Sequence, residues 1–274
     1  MAQKSSPIVY KGARPLGIGR LTSLANSTSE RPGILLGSPK GLFHMDLPTS
    51  KARRIRKYPI GYIISGETGL VCYEEYHERG RLAFLDANLE ETKTDTELAR
   101  KLNPVAFRKG KIILLHQGNF MSLDPLSSEI GLVAPFEETM SITPFIPVGS
   151  GYEFIAVLRK PRWRTGLYKL SFYDESATVH LLAVAEDPII SRHILKLSGH
   201  LYLVIPQGKP LFMIYRLFEG AEPCIRTWQL VPIIGEAQPA GIIRQGKVLL
   251  AACSDNLLNF EIKEELLEEE KLGE

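Results

Sequence analysis

Cysteine is scarce in this chain: Cys72, Cys224 and Cys253 are the only three in 274 residues. Three widely separated cysteines make no disulfide framework, so a reducing, cytoplasmic setting is the expectation. The chain also lacks an apolar run of the roughly 18–20 residues that a membrane-spanning helix needs. Its opening apolar stretch, Pro7-Ile8-Val9-Tyr10, is far too short for a signal-peptide core, so no membrane partner is expected. An excess of one charge is missing too. With 33 basic against 31 acidic residues, overall charge selects neither nucleic acid nor an anionic membrane. What is present is apolar: 44% of residues are hydrophobic, spread along the whole length. That excludes a disordered chain, and a chain this long can bury about three quarters of its unfolded surface.

One pattern recurs: an apolar run, a short polar turn, then a second run. It reads GILLGSPKGLFHMDL at 33–47, GYIISGETGLVCYEE at 61–75 and KIILLHQGNFMSLDP at 111–125. It returns as EFIAVLRKPRWRTGLYKLSF at 153–172, HLYLVIPQGKPLFMIYRL at 200–217 and KVLLAACSDNLLNFEI at 247–262. Gly, Asn, Asp and Pro at the turns are the residues tight hairpins require. Counted from the start of each second run (Gly41, Gly69, Asn119, Gly166, Pro210, Asn256), the intervals are 28, 50, 47, 44 and 46 residues. Four of these five fall near the period of about 40–50 residues of a propeller blade. A leading element precedes the hairpins at Pro104, Pro144, Arg192 and Pro239, and further β-type runs follow at Arg81–Asp86, Ile130–Phe136, Thr178–Ala185 and Cys224–Ile234. Four strands per period is the composition of a blade.

On these repeats the chain resembles WD40- and kelch-type β-propellers in general pattern, over roughly residues 5–262. Neither the Trp-Asp dipeptide of the first nor the Gly-Gly pair of the second is present, so the resemblance implies architecture and carries over no functional residue. The expected fold is all-β, a propeller of about six blades with one blade incomplete at the 28-residue interval. Residues 1–262 are expected to form a single propeller domain, with 263–274 an acidic tail. A helical insertion is expected near 88–102, where an acidic start and basic end suit the helix dipole, and a short acidic helix at the C-terminus. A strand near Pro7–Tyr10 is expected to complete the last blade.

Motifs of chemistry are sparse. His44, His77, His116, His180, His193 and His200 have no partner at zinc-like spacing, and no HExxH or CxxC occurs. There is no GxSxG elbow, and the three cysteines sit in apolar β-type surroundings where a thiol packs as a small hydrophobe. Gly17-Ile18-Gly19 lacks the third glycine and the helix of a dinucleotide site. Acid pairs (Glu137-Glu138, Asp174-Glu175, Glu186-Asp187) fall in loops, where solvated charge is the ordinary reading. No catalytic residue, metal ligand or cofactor is assigned.

Charge, balanced overall, is uneven locally. Residues 1–20 carry four basic groups and no acid; KARRIRK at 51–57 holds five, RKPRWR at 159–164 holds four around Trp163, and the last 14 residues total −5. Basic groups beside an aromatic suit nucleic-acid contact, although charge on an outermost strand also discourages edge pairing. The sequence reading is therefore a non-enzymatic interaction scaffold that docks protein partners in a larger assembly. Its candidate contacts are Lys51, Arg53, Arg54, Arg56, Lys57, Arg159, Lys160, Arg162, Trp163 and Arg164. One alternative is a propeller that binds RNA or DNA through the same two segments. The other is a metal-dependent propeller hydrolase or lactonase built on loop carboxylates.

Overall fold

The computed structural model describes residues 8–66, 68–75, 80–95, 103–137, 139–143, 145–158, 164–174, 176–185, 193–197, 200–207, 211–219, 222–232 and 239–266; for the strands between 193 and 232 it describes the backbone. These residues form six antiparallel sheets. After β1 (Ile8–Pro15), blade 1 comprises β2 (Ser23–Asn26), β3 (Ile34–Ser38), β4 (Gly41–Asp46) and β5 (Lys51–Arg56). Blade 2 is β6 (Ile60–Gly66), β7 (Gly69–Glu74), β8 (Arg81–Asp86) and β9 (Glu91–Asp95). Blade 3 is β10 (Asn103–Arg108), β11 (Lys111–His116), β12 (Asn119–Leu123) and β13 (Ile130–Pro135). Blade 4 has five strands, β14 (Thr139–Ile142), β15 (Ile146–Val148), β16 (Gly151–Leu158), β17 (Arg164–Tyr173) and β18 (Ser176–Ala185). Blade 5 is β19 (His193–Leu197), β20 (His200–Gln207), β21 (Leu211–Glu219) and β22 (Glu222–Pro232), and the last sheet is β23 (Gly241–Gln245), β24 (Val248–Cys253) and β25 (Asn256–Ile262) with β1 on its outer edge.

The sheets stand in a ring. First strands lie side by side, β23 next to β2, β2 next to β6, β6 next to β10, and β19 between β15 and β23; last strands meet likewise at β13–β18, β18–β22 and β22–β1. This is a β-propeller.

Its core explains why the sequence reads as apolar runs rather than alternation. The inner strands β3, β7 and β11 are covered on both faces, one by each neighbouring blade. In β3, Ile34 and Leu36 pack with Leu250 and Leu257 of the last blade, while Leu35 between them packs with Ile63 and Leu70 of blade 2. In β11, Ile112 and Leu114 face blade 2, and Ile113 joins Phe120 and Phe154 at the junction with blade 4. Alternation is present, but both sides of it are dry. Deleting one such side chain, as in Leu35→Ala, costs about 2–5 kcal/mol.

Closure follows the expected course. β1 runs antiparallel to β25 from Ile8↔Ile262 to Pro15↔Asn256, with a bulge between Tyr10 and Gly12. Buried Ile8, the tilted Tyr10–Phe260 ring pair at 5.5 Å and the Lys11–Glu261 ion pair at 2.6 Å fasten it. The two ends of the chain thus share one blade.

Two sequence expectations need correction. No strand is missing at the 28-residue interval. Gly69 opens the second strand of its blade, whereas Gly41 and Asn119 open third strands. The third strand of blade 2 opens at Arg81, so the intervals around it become 40 and 38 residues. The helical insertion near 88–102 is replaced, as far as the described residues reach, by a turn and β9, which pairs with β8 from Leu85↔Glu91 to Leu82↔Asp95. The turn is drawn by Asp86, whose Oδ1 accepts from the amides of Asn88 and Glu90, both at 2.9 Å, a competitor that helical propensity did not anticipate. Residues 96–102 lie outside the described residues. The expected C-terminal helix is present among the described residues as one helical turn at 264–266, and 267–274 are likewise outside. The split first strand of blade 4 was not expected at all. β14 and β15 lie on the same edge of β16, and between them Thr143 exchanges bonds with Ile155 through its amide (2.9 Å) and Oγ1 (3.0 Å).

Candidate interaction surface

The first basic segment becomes the outermost strand of blade 1. Lys51, Arg53 and Arg54 on β5 are exposed, as is Lys57 just beyond it. Arg14 on β1 reaches across from the last blade, its Nη2 donating to the Ser50 carbonyl at 2.6 Å. Arg56 is different. Its guanidinium bonds Glu74, whose side chain is fully buried, and reaches Glu91 Oε2 at 2.5 Å; Arg81 Nε takes the other Glu74 oxygen at 2.6 Å. Burial works against the Arg56 charge, but the hydrogen bonds to Glu74 and Glu91 outweigh it and hold the group protonated. Arg56 therefore ties blade 1 to blade 2 and has no charge to spare for a partner. Arg81 also lies over the Tyr58 ring at 4.3 Å and Lys57 over the same ring at 5.4 Å.

Of the second basic segment, Arg159, Lys160, Arg162 and Trp163 lie outside the described residues. Arg164 opens β17 and makes a forked contact to Glu137 at 3.1 and 3.2 Å. Its neighbour Tyr168 is buried, with its hydroxyl unbonded and its pKa pushed up to about 12 by burial first and by Glu137 second. The structure thus brings the 51–57 residues onto one edge, and nothing described joins them to 159–164.

The sequence did not single out an apolar feature that the structure makes plain. Among the described residues, the exposed large hydrophobics are Leu126 (74%), Ile130, Leu132 (61%), Tyr173 (62%), Leu181 and Leu182. Ile130 and Leu132 lie on β13 and Leu181 and Leu182 on β18, the adjoining outer strands of blades 3 and 4. Leu126 and Tyr173 sit in or beside the turns leading into those strands. In the sequence these side chains look like core; only the position of their strands at the rim exposes them.

Reactive chemistry finds little footing. Cys72 and Cys253 are fully buried and unpaired; burial raises both thiols, Cys253 to about 12, which disfavours the nucleophilic thiolate. Among the described residues no three His, Cys, Asp or Glu side chains are grouped to hold a metal, and no helix is long and apolar enough to cross a membrane.

No known family model matches the chain, and no curated protein matches it by sequence. Among solved structures it is similar to virginiamycin B lyase from Staphylococcus aureus, with a TM-score of 0.56 and 14% identity over 91% of this chain and 98% of that one. It is also similar to a chain of the mitotic checkpoint complex, with a TM-score of 0.59 and 7% identity over 93% of this chain and 92% of that one. One neighbour is a lyase and the other belongs to an assembly, so the likeness is one of fold, which hosts unrelated functions.

Proposed function

We propose that this propeller is a docking scaffold that binds protein partners on its outer wall. The observation that carries the reading is the set of large apolar side chains exposed together on β13, β18 and their turns. Single exposed hydrophobics are ordinary, but apolar side chains gathered on adjoining elements suit a contact surface. The exposed cations of blade 1 form a second contact region, and Lys51, Arg53, Arg54 and Lys57 remain its proposed residues. Arg159, Lys160, Arg162, Trp163 and Arg164 are proposed contacts on the sequence argument alone. The similarity to a chain of an assembly is in keeping with a scaffold, and a cytoplasmic setting remains part of the proposal.

The test is a tagged pull-down from host lysate at physiological salt, with and without nuclease, comparing the native chain with a Leu132→Asp/Leu181→Asp variant. A protein set that survives nuclease and is lost from the variant is the expected result. The same set on both proteins would overturn the apolar wall as the docking surface. Capture lost to nuclease would turn the reading to RNA or DNA.

A further inference from the structure

β5 is the last strand of its sheet; the order β2-β3-β4-β5 leaves its outer edge without a ladder partner among the described residues. An edge of this kind is a template for one more strand. Along it Lys51, Arg53 and Arg54 project into solvent without a carboxylate partner among the described residues, and Arg14 adds a fourth cation at its start. From Arg31 to Lys57 the sequence has seven basic residues and one acid, Asp46, which stands opposite Lys51 on the inner neighbour β4. Cations occupy both faces of the strand. Ala52 packs toward the last blade and Ile55 toward blade 2, so strand alternation puts Arg54 on the first side and Arg53 on the second.

The geometry points to the β5 edge as an addition site for an extended acidic segment of a partner protein, an inference that rests on the docking reading above and names one partner chemistry for it. Side chains of an added strand lie about 4.5–5.5 Å from those opposite, and opposite charges there are favourable. Glu or Asp at successive positions would meet Lys51 and Arg53 on one face and Arg54 on the other. The same cations set two copies of β5 against each other, which disfavours pairing of the chain with itself. They also separate the edge from a nucleic-acid platform, which needs rings for base stacking. Tyr58, two residues beyond the strand, is already covered by Arg81 and Lys57.

The probe is a fluorescent octapeptide with four successive Glu residues flanked by Thr and Val (Thr-Val-Glu-Glu-Glu-Glu-Val-Thr), so that both faces of the added strand carry acid, titrated into the full chain and followed by anisotropy. Binding is expected, weakening with salt and falling about tenfold in an Arg53→Glu/Arg54→Glu variant that melts like the native chain. A peptide of the same sequence with alternate amides methylated is expected to lose binding, since strand addition needs those donors. No binding of the octapeptide, or equal binding by the variant, overturns the inference; equal binding by the methylated peptide overturns strand addition. An oligouridine probe that binds more tightly than the peptide and is lost in the same variant would reassign the edge to nucleic acid. The Leu132→Asp/Leu181→Asp protein is expected to keep peptide binding. Failure of the octapeptide with partner capture still dependent on Leu132 and Leu181 removes this inference and leaves the docking scaffold standing.

Discussion

At the scale of single residues, the most consequential group is Glu74. Its carboxylate is fully enclosed and is shared by Arg56 of blade 1 and Arg81 of its own blade. A buried ion pair adds little over a well-packed apolar pair, but removing one partner strands the other charge at a cost of about 3–5 kcal/mol. Glu74→Gln is therefore expected to destabilise the fold by that order in urea unfolding, and more than Glu91→Gln, whose carboxylate is part-exposed. Gly41 is a second constrained position. It has φ near +133°, and a Cβ there would press on the Arg56 carbonyl, so Gly41→Ala should lower stability at the entry to β4. The thiols supply a chemical check. Cys72 and Cys253 should resist a thiol reagent in the native state and label only on unfolding, read by mass spectrometry of their peptides.

Among the elements, β1 carries the clearest prediction. Deleting residues 1–12 removes Ile8, Tyr10 and Lys11 and uncovers most of β25. A melting temperature lower by on the order of 10 °C is expected, with association through the freed edge visible as light scattering. Much of this level was legible in the sequence. Turn residues and doubled apolar runs located the hairpins, and the apolar Pro7–Tyr10 stretch marked the closing strand. Where the reading slipped, longer-range or local polar terms decided. The hairpin at Gly69 resembles those at Gly41 and Asn119, and nothing local says that it joins first and second strands rather than second and third. Residues 88–102 carry a charge pattern suited to a helix, yet Asp86 sets a turn and the β8 edge recruits 91–95 as a strand. Arg56 looked like its neighbours until the fold placed Glu74 and Glu91 against it. The apolar wall was hidden because exposure at a sheet edge depends on which strand is outermost, a property of the assembled ring.

For the whole molecule, the ring order accounts for how the blades stabilise one another. The junctions that run from the last blade through blades 1, 2 and 3 to blade 4 are shared cores, and the last blade contains strands from both ends of the chain, so unfolding of residues 8–262 should be cooperative, seen as coincident transitions by far-ultraviolet and aromatic signals. The surface proposed for docking is the outer wall, which exposes large apolar side chains at blades 3 and 4 and basic ones at blade 1. The most direct measurement is hydrogen–deuterium exchange of the chain alone and with its captured partner. The account predicts slowed exchange in peptides covering 124–135 and 173–185, on β13, β18 and their turns. Protection confined to other segments, with those two unchanged, would contradict it.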